Sequence, residues 1–378
     1  MKAARLIFAF TCVLGAAASP PSSSEPAPEP EMHRCGIWDD ESEISTGPFQ
    51  EHGVAATNDD MYVIGGIPAN FSQPIFHSRR DVAAYNFGSD SWRSVADFPI
   101  GITHPNVAGV DGGIYVLGGL TDNGKDPYWN YTTACYVYRP ETGLWDSLPD
   151  MPDREARGAA AVGVHGKTII LAGGLRYVNF TGGATGGIQE SMKRVTSFDT
   201  RTNEWRTLRP LPEPRDHAGG AVIKNKFYVT GGRDSGQGNE RNNTWCLSLK
   251  TWDADWVPKL DLPAPRSGFA VGTHTHRILV FGGEGNKDSP TGVYAESLMY
   301  NTRRDEWKRV LDFPKPRHGM GAVSFVRNTW IAGGGLVEGR AKPDAACSKF
   351  TLDDVLPPPN GSPPGTFNAS HMPHGCLI

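Results

Sequence analysis

The sequence lacks most of the features that mark common functional classes. Its net charge is only −4, from 37 Lys and Arg against 41 Asp and Glu, and it contains no basic run. This charge balance argues against nucleic acid as a partner. Three familiar catalytic motifs are also missing, namely Gly-x-Ser-x-Gly, the phosphate-binding loop and His-Glu-x-x-His. From these absences we expect no cofactor and no metal.

Long hydrophobic runs are missing except at the N-terminus. There, an apolar run from Leu6 to Ala18 follows Lys2 and Arg5. The run is shorter than the roughly 20 residues that a membrane span needs, so we expect no stable membrane insertion. It has the layout of a cleaved secretory signal peptide over residues 1–18, which predicts export. Residues 19–34 are rich in Pro, Ser and Glu and are predicted to form a disordered linker.

Glycine is abundant, with 45 residues, and part of it is regularly spaced. Six apolar runs of strand length, such as Met61-Tyr62-Val63-Ile64, each end in a Gly-Gly doublet, which lets the backbone turn and approach a neighbour closely. The doublets are Gly65-Gly66, Gly118-Gly119, Gly173-Gly174, Gly231-Gly232, Gly282-Gly283 and Gly333-Gly334. They recur every 51 to 58 residues, which predicts a repeat architecture.

Most doublets are followed by an aromatic residue and a Trp with six residues between them. These pairs are Tyr85/Trp92, Tyr138/Trp145, Phe198/Trp205 and Tyr300/Trp307, and Leu249/Trp256 keeps the same spacing. The interval predicts two strands joined by a polar turn, with the aromatic side chains filling the space between units. Together the period and these signatures resemble kelch repeats, each of which forms a four-stranded blade of a β-propeller.

The sixth repeat lacks a Trp of its own, and the missing strand lies at the other end of the chain. Trp38 precedes Gly65 by 27 residues, and the other Trp residues precede their next doublets by 26 to 28. The segment Gly36-Ile37-Trp38 is therefore predicted to be the outer strand of the last blade. We predict an all-β, six-bladed kelch β-propeller over residues 35–356, closed by this N-terminal strand and followed by a Pro-rich tail over residues 357–378.

The propeller also predicts the state of the cysteines. Cys135, Cys246 and Cys347 fall at equivalent places on separated blades and are predicted to be buried thiols. Cys35 and Cys376 would emerge on the same face, so a disulfide between them is predicted.

Six Asn-x-Ser/Thr sequons predict N-glycosylation and support export. They are Asn70, Asn130, Asn179, Asn242, Asn360 and Asn368. The first four each follow a Gly-Gly doublet, so we expect them in the same exposed inter-strand loop of blades one to four.

A candidate site follows from the blade topology, because loops that lead into the first strand and out of the second lie on one face of a propeller. We predict as catalytic the residues Arg233, Arg176, His104, His217 and His318. We predict as binding residues Glu284, Arg157, Arg215, Arg266, Arg317, Tyr128, Trp129 and Tyr177. The alternative for the arginines is structural hydrogen bonding between loops, and for the histidines a hydrogen-bonding role in the core.

The layout of the chain is similar to that of small secretory kelch-like proteins from fungal natural-product clusters. These include hetero-Diels–Alder cyclases, which join a tropolone quinone methide to a humulene-type sesquiterpene. The resemblance lies in the signal peptide, length, propeller, sequons and lack of a cofactor motif. It implies a secreted, cofactor-independent cyclase that holds a small apolar or aromatic organic substrate at the central channel mouth.

Two alternatives remain open at this stage. One is a non-catalytic propeller that binds a glycan or a protein, which the fold alone favours about as strongly. The other is a kelch enzyme like the secreted bacterial sialic acid epimerases, although the sequons argue against a bacterial source.

Overall fold

The computed structural model describes residues 36–69, 77–122, 128–179, 189–339 and 342–353. They form a six-bladed β-propeller, as the sequence predicts. The predicted signal peptide and linker, Cys35, Cys376, the C-terminal tail and the sequons at Asn70, Asn360 and Asn368 lie outside these residues. No helix within the described part of the chain is long and apolar enough to cross a membrane.

The strands follow the chain blade by blade. The chain begins with β1 (Gly36–Glu41) and β2 (Phe49–Gln50). Next come β3 (Gly53–Ala56), β4 (Asp60–Ile64), β5 (Ile67–Pro68), β6 (Val82–Asn86) and β7 (Ser91–Ser94), of which β5 pairs with β2 and the other four form blade one. Blade two consists of β8 (Val107–Val110), β9 (Gly113–Asp122), β10 (Tyr128–Arg139) and β11 (Leu144–Leu148).

A short 3-10 helix (Asp153–Glu155) leads to β12 (Ala161–His165), β13 (Thr168–Ala172), β14 (Leu175–Asn179), β15 (Gln189–Ser191), β16 (Val195–Asp199) and β17 (Glu204–Leu208). Blade three is formed by β12, β13, β16 and β17, while β14 and β15 extend the sheet of blade two. Blade four contains β18 (Gly219–Ile223), β19 (Lys226–Thr230), β20 (Thr244–Ser248) and β21 (Val257–Lys259). Blade five contains β22 (Ala270–His274), β23 (Arg277–Phe281), β24 (Ser297–Asn301) and β25 (Glu306–Arg309). Blade six contains β26 (Gly321–Phe325), β27 (Asn328–Ala332) and β28 (Cys347–Leu352).

The ring closes through the N-terminal strand, which confirms the prediction from Trp38. β1 is the outermost strand of blade six and pairs with β28, with Trp38 directly opposite Phe350. The Trp38 ring stacks on Phe313 at 4.9 Å and meets Phe281 edge-on at 5.3 Å. Blade six is therefore built from both ends of the described chain.

The repeated aromatic–Trp pairs lie directly opposite each other on the third and fourth strands of their blades. This register holds for Tyr85/Trp92, Tyr138/Trp145, Phe198/Trp205 and Tyr300/Trp307. Leu249 and Trp256 fall just outside the paired residues of β20 and β21 but pack into one core cluster. The blades are thus packed as the spacing predicts.

Each of the repeated Trp residues also forms a hydrogen bond to the preceding blade, which was not predicted from the sequence. The indole Nε1–H of Trp145 donates to the carbonyl oxygen of Ala96 at 3.0 Å, and that of Trp307 donates to Leu260 at 2.9 Å. The same contact is made by Trp92 to Ser42, Trp205 to Pro149, Trp256 to Arg209 and Trp38 to Leu311. The indoles are half-buried to buried, so each packs its ring against its blade while its N–H holds the neighbouring blade in place.

The innermost strands enclose a central channel with a cavity of about 490 Å³. Its wall is made mostly of Ala, Gly and Val side chains from these strands. Neighbouring inner strands approach closely: a Cβ on Gly109 would lie 2.1 Å from the carbonyl oxygen of Ala56, and one on Gly220 would lie 2.5 Å from that of Val162. Glycine is required there because a side chain would push the blades apart.

The cysteines inside the described residues are as predicted. Cys135, Cys246 and Cys347 are free and buried. Burial raises the pKa of the Cys135 and Cys347 thiols to about 12, which keeps them protonated and unreactive.

Two of the sequons lie on strands rather than in the predicted loops. Asn130 belongs to β10, because β9 and β10 continue past the blade as a ribbon, and Asn179 ends β14, which pairs with that ribbon. Asn130 is exposed, and Asn242 lies half-buried in the segment before β20.

Candidate functional site

Each blade contributes one equivalent residue to the same end of the channel. In each blade this residue comes two positions before the residue at the start of the innermost strand that pairs with the last residue ahead of the Gly-Gly doublet. We call this the ring position. Its occupants are Glu51, His104, Ala159, His217, Gly268 and Gly319. All six have a left-handed backbone, with φ between 49° and 61°. Four of them are not glycine, so the local fold holds a conformation that ordinary residues rarely adopt.

A closed circle of backbone hydrogen bonds explains this conformation. Each ring-position amide donates to the carbonyl oxygen of the ring position in the preceding blade, at 2.7 to 3.0 Å. The circle includes the step from Glu51 back to Gly319, so it spans all six blades. The left-handed geometry turns each amide sideways towards its neighbour, and the hydrogen bonds offset the backbone cost. Side chains at the ring position therefore project from a rigid frame.

Two further positions surround the ring. The residue before each ring position is bridged to the residue after the Gly-Gly doublet, as in Asp216 with Arg233 and Ser267 with Glu284. In blades one to three the residue after the doublet is apolar, namely Ile67, Leu120 and Leu175. In blades four and five it is Arg233 and Glu284, and blade six brings His318 into the same region. One half of this end of the propeller is therefore charged and the other half apolar.

Glu51 links the histidines at the centre of the ring. Its Oε2 lies 3.4 Å from Nε2 of His104 and 3.5 Å from Nε2 of His217. Its Oε1 lies 3.8 Å from Nδ1 of His318. The side chains of Glu51, His104 and His217 reach the channel cavity, so they form its polar floor.

Arg233 sits behind this floor between two carboxylates. Its Nε donates to Asp216 Oδ1 at 3.1 Å and its Nη1 donates to Glu284 Oε1 at 2.5 Å, while Nη2 lies 3.4 Å from Nε2 of His217. Asp216 Oδ1 also lies 2.5 Å from Nδ1 of His217. With Arg233 only 5% exposed, this is a desolvated ionic network rather than a surface ion pair.

The network shifts the pKa values of its members in opposite directions. Burial would raise the pKa of Glu51, but the facing imidazoles of His104 and His217 hold it well below its usual value. Burial lowers the pKa of His104 to about 4. Burial and Arg233 oppose a charge on His217, yet its contacts with Asp216 and Glu51 raise its pKa to about 9. The pKa values of two imidazoles that share one carboxylate are thus shifted in opposite directions.

The apolar half packs into a buried cluster of Ile67, Leu120, Trp129 and Leu175. The Trp129 ring lies 5.4 Å from the His104 ring and supports it from behind. Trp129 is only 5% exposed and does not line the cavity. Of the other aromatic residues predicted to form a wall, Tyr177 is half-buried on β14, and the side chain of Tyr128 lies outside the described part of the structure.

The four arginines that lead into the blades are buried within their own blades. Arg157 donates to the carbonyl oxygens of Glu155, Gly173 and Leu171. The other three lie over aromatic rings: Arg215 over Trp245, Arg266 over Tyr294 and Arg317 over Phe313. Burial lowers the pKa of Arg157, Arg266 and Arg317 to about 10. These contacts match the structural alternative for this set and hold the guanidinium groups away from the cavity.

Arg176 lies apart from the network that Arg233 and Glu284 form. Its guanidinium lies 4.1 Å over the Tyr131 ring and 3.6 Å from Asp153. The reason is its register: Arg233 and Glu284 come directly after their doublets, whereas Leu175 comes directly after Gly173-Gly174 and Arg176 one residue later. Successive strand side chains point to opposite faces, so Arg176 turns away.

Glu51, the residue that joins the three histidines, was not predicted from the sequence. Asp216 and Ser267, which bind Arg233 and Glu284, were also not singled out. A signal for Glu51 existed: aligning the blades on their doublets puts it in the same column as His104 and His217. His52, the neighbouring residue, instead contacts the carbonyl oxygen of Ala332 at 3.0 Å.

Comparison with known families agrees with the fold. The family described as the KLHDC2/KLHL20/DRC7 Kelch-repeats domain matches residues 176–356, and the Kelch motif matches residues 103–152. The chain belongs to the kelch-repeat family. Among solved structures, the one described as "Structure of YjhT" superposes on this kelch propeller with a TM-score of 0.64 and 16% identity, covering 82% of this chain and 97% of that one. At that identity it supports the fold alone.

Two protein relatives extend the comparison. Kelch-like protein terF from Aspergillus terreus is 37% identical over 294 residues, which is 77% of this chain. Beta-scruin from Limulus polyphemus is 26% identical over 290 residues, or 74% of this chain. The chain spans 62% of the length of the first relative and 30% of the second.

Proposed function

We propose that this kelch propeller is a secreted cyclase of fungal secondary metabolism that closes a ring on a small organic substrate inside its central channel. The observation that carries the proposal is the cavity itself. It measures about 490 Å³, within the range of small-molecule sites, and combines an apolar wall with the polar floor of Glu51, His104 and His217. Similarity to a fungal kelch-like protein supports the biological setting.

The chemistry matches what such a cavity supplies. A hetero-Diels–Alder addition joins a conjugated carbonyl compound to an alkene and forms one carbon–oxygen and one carbon–carbon bond at the expense of two π bonds. No proton, electron or leaving group has to be exchanged. The protein needs to hold both partners in a reactive pose and to stabilise the charge that develops on the carbonyl oxygen.

The described residues divide these tasks between wall and floor. The wall presents small apolar side chains such as Val54, Val162 and Ala322, which suit a hydrocarbon. The polar floor, backed by Arg233, places positive charge and imidazole groups where an electron-rich oxygen would lie. His318 and Glu284 hold this floor from behind at 3.4 Å from each other. A substrate would therefore lie with its polar end towards the imidazoles of His104 and His217 and its apolar end along the channel.

The experiment is to incubate the purified full-length protein with pairs of quinone methide precursors and cyclic terpene alkenes. Because these additions also occur without a catalyst, the readout is the rate and the enantiomeric excess of the adduct by chiral chromatography and mass spectrometry. We expect a single enantiomer in excess. Ala322→Phe, which fills the channel, should lower the rate by about 10-fold or more, the scale of a misplaced substrate. Leu144→Phe on the exposed outer strand β11 is the matched control and should leave the rate unchanged.

Two outcomes would reject this function. A racemic product at the uncatalysed rate for every pair would remove the cyclase. Saturable binding of a glycan or peptide that persists in Ala322→Phe would place the chain among non-catalytic binding propellers.

A further inference from the structure

The polar floor also has the geometry of a metal centre. Glu51, His104 and His217 each offer one ligand atom, and these three atoms lie within 4.8 Å of one another. The two oxygen–nitrogen distances are 3.4 and 3.5 Å. Two ligand atoms bound to a tetrahedral Zn²⁺ at about 2.1 Å lie about 3.4 Å apart, so both distances from Glu51 match this geometry.

The second atoms of both imidazoles are already oriented for such a role. Nδ1 of His217 contacts Asp216 Oδ1, and Nδ1 of His104 contacts the hydroxyl of Thr103 at 3.0 Å. Metal-binding histidines in proteins donate their other ring N–H to a carboxylate, a carbonyl or a hydroxyl group in this way, which directs the free lone pair of Nε2 at the ion. The left-handed backbone at Glu51, His104 and His217 fixes the direction in which each Cα–Cβ bond leaves the main chain.

The charge of the surroundings also favours a dication. Glu51, Asp216 and Glu284 supply three carboxylates, and Arg233 supplies one guanidinium. Both imidazoles must be neutral to bind an ion, and the three carboxylates and one guanidinium then carry a net charge of −2, which a divalent ion would balance. The opposing feature is Arg233, whose Nη2 lies 3.4 Å from Nε2 of His217, and an ion also has to displace any proton on that nitrogen.

We propose that Glu51, His104 and His217 form a divalent metal site, best suited to Zn²⁺, with its open coordination position facing the channel cavity. Two histidines and one glutamate are a ligand set that Zn²⁺ accepts, and three protein ligands leave the fourth position for water or for an oxygen of a bound molecule. No motif in the sequence signals the site, because each ligand comes from a different blade. A catalytic role for the ion, which would polarise the substrate oxygen, rests on the proposed function. Binding of the ion to these three residues does not depend on that function.

The test measures metal binding without any organic substrate, so its failure is distinct from failure of the cyclase. The full-length protein is stripped with a chelator, dialysed and titrated with Zn²⁺, with stoichiometry read by plasma mass spectrometry and affinity by competition with a chromophoric chelator. We expect one ion per chain. Glu51→Gln and His217→Gln should each weaken binding by about 100-fold or more, and Asp216→Asn by about 10- to 100-fold.

Controls separate this site from surface histidines and from misfolding. His165→Asn removes a half-buried imidazole at the end of β12, remote from the polar floor, and should leave binding unchanged. Replacement of Zn²⁺ by Co²⁺ should give visible absorption of four-coordinate intensity in the wild type, a readout that needs no variant. The proposal is overturned if the wild type takes up less than a stoichiometric amount of Zn²⁺. It is also overturned if a folded Glu51→Gln protein binds as tightly as the wild type, or if His165→Asn abolishes binding.

Discussion

The amide of Glu51 donates a 2.7 Å hydrogen bond to the carbonyl oxygen of Gly319 and thereby joins the first blade to the last. The same two blades are joined at the rim, where the indole of Trp92 in blade one donates to Ser42, the residue that follows β1. The propeller is therefore closed at its inner and its outer radius, and Glu51 belongs to both the closure and the polar floor. Loss of the outer closure should therefore lower the stability of the whole propeller and not of blade six alone.

The closing strand gives the first prediction. Trp38→Ala removes a ring that packs against Phe281, Phe313 and Phe350, so we expect the free energy of unfolding to fall by about 3 kcal/mol. Ile37→Ala, at the neighbouring residue whose side chain is 56% exposed, is the control and should change it by less than about 0.5 kcal/mol. Urea unfolding followed by Trp fluorescence measures both. Equal effects of the two substitutions would contradict the role of β1.

The sequence was sufficient to predict this closure because the information is local and repeated. Each of the repeated Trp residues precedes the next Gly-Gly doublet by 26 to 28 residues. Trp38 keeps this interval to Gly65, so it takes the place of the Trp that the sixth repeat lacks. The spacing assigns the segment to blade six, and the structure adds its register, in which Trp38 lies opposite Phe350. The blades could be derived in this way without any tertiary contact.

The candidate site could be predicted only in part because it is assembled from single residues of different blades. His104, His217 and His318 were identified since each leads into a blade, and Arg233 and Glu284 since each follows a doublet. Glu51 has no feature of its own until the ring brings it to His104 and His217. Arg176 was predicted as a site residue but lies apart from the network. A shift of one residue along a strand turns the side chain to the other face, and the position of the doublet alone did not resolve this shift.

A second prediction concerns acid stability. Nη1 and Nη2 of Arg93 donate to Asp60, at 2.9 and 2.7 Å, and this contact lowers the pKa of Asp60. A carboxyl with a lowered folded pKa stabilises the fold above its unfolded pKa of about 4, and the contribution is lost as pH falls through the folded value. Arg93→Gln should therefore cost about 1 kcal/mol at pH 7, and this cost should shrink as pH falls below about 4.

Denaturant unfolding at several pH values measures this difference. Lys167→Gln removes the partner of Asp111 in a pair whose side chains are 51% and 58% exposed and serves as the control, with no measurable change in stability expected at any pH. A constant gap between wild type and Arg93→Gln from pH 7 to pH 2 would show that the ion pair is not the cause.

The third prediction separates two sequons in a protein secreted from a eukaryotic host. Asn130 is exposed on the β9–β10 ribbon, whereas the side-chain amide of Asn242 donates to the carbonyl oxygen of Leu262 at 3.3 Å and is half-buried. We expect a high glycan occupancy at Asn130 and a lower one at Asn242. Glycopeptide mapping gives both values from one digest, and bare peptide at both positions would argue against the secretory route.

The fourth prediction concerns Arg233, which the sequence analysis treated as a ligand-facing residue and the structure buries between Asp216 and Glu284. Arg233→Met keeps the length of the side chain but leaves two buried carboxylates without their cation. Breaking such a pair costs about 3 to 5 kcal/mol, so the variant should unfold at a clearly lower denaturant concentration. Arg176→Met is the control, since its guanidinium is half-buried over Tyr131 beside the exposed Asp153, and it should cost no more than about 1 kcal/mol.

In the double variant Arg233→Met with Glu284→Gln, part of the stability should return, because one of the two buried carboxylates left without a cation is now neutral. Activity alone cannot separate a catalytic from a supporting Arg233, but the double variant can. Recovered stability without recovered turnover would assign Arg233 a direct role at the polar floor, whereas recovery of both would make it a structural counter-ion. A wild-type unfolding curve for Arg233→Met would contradict the buried network itself.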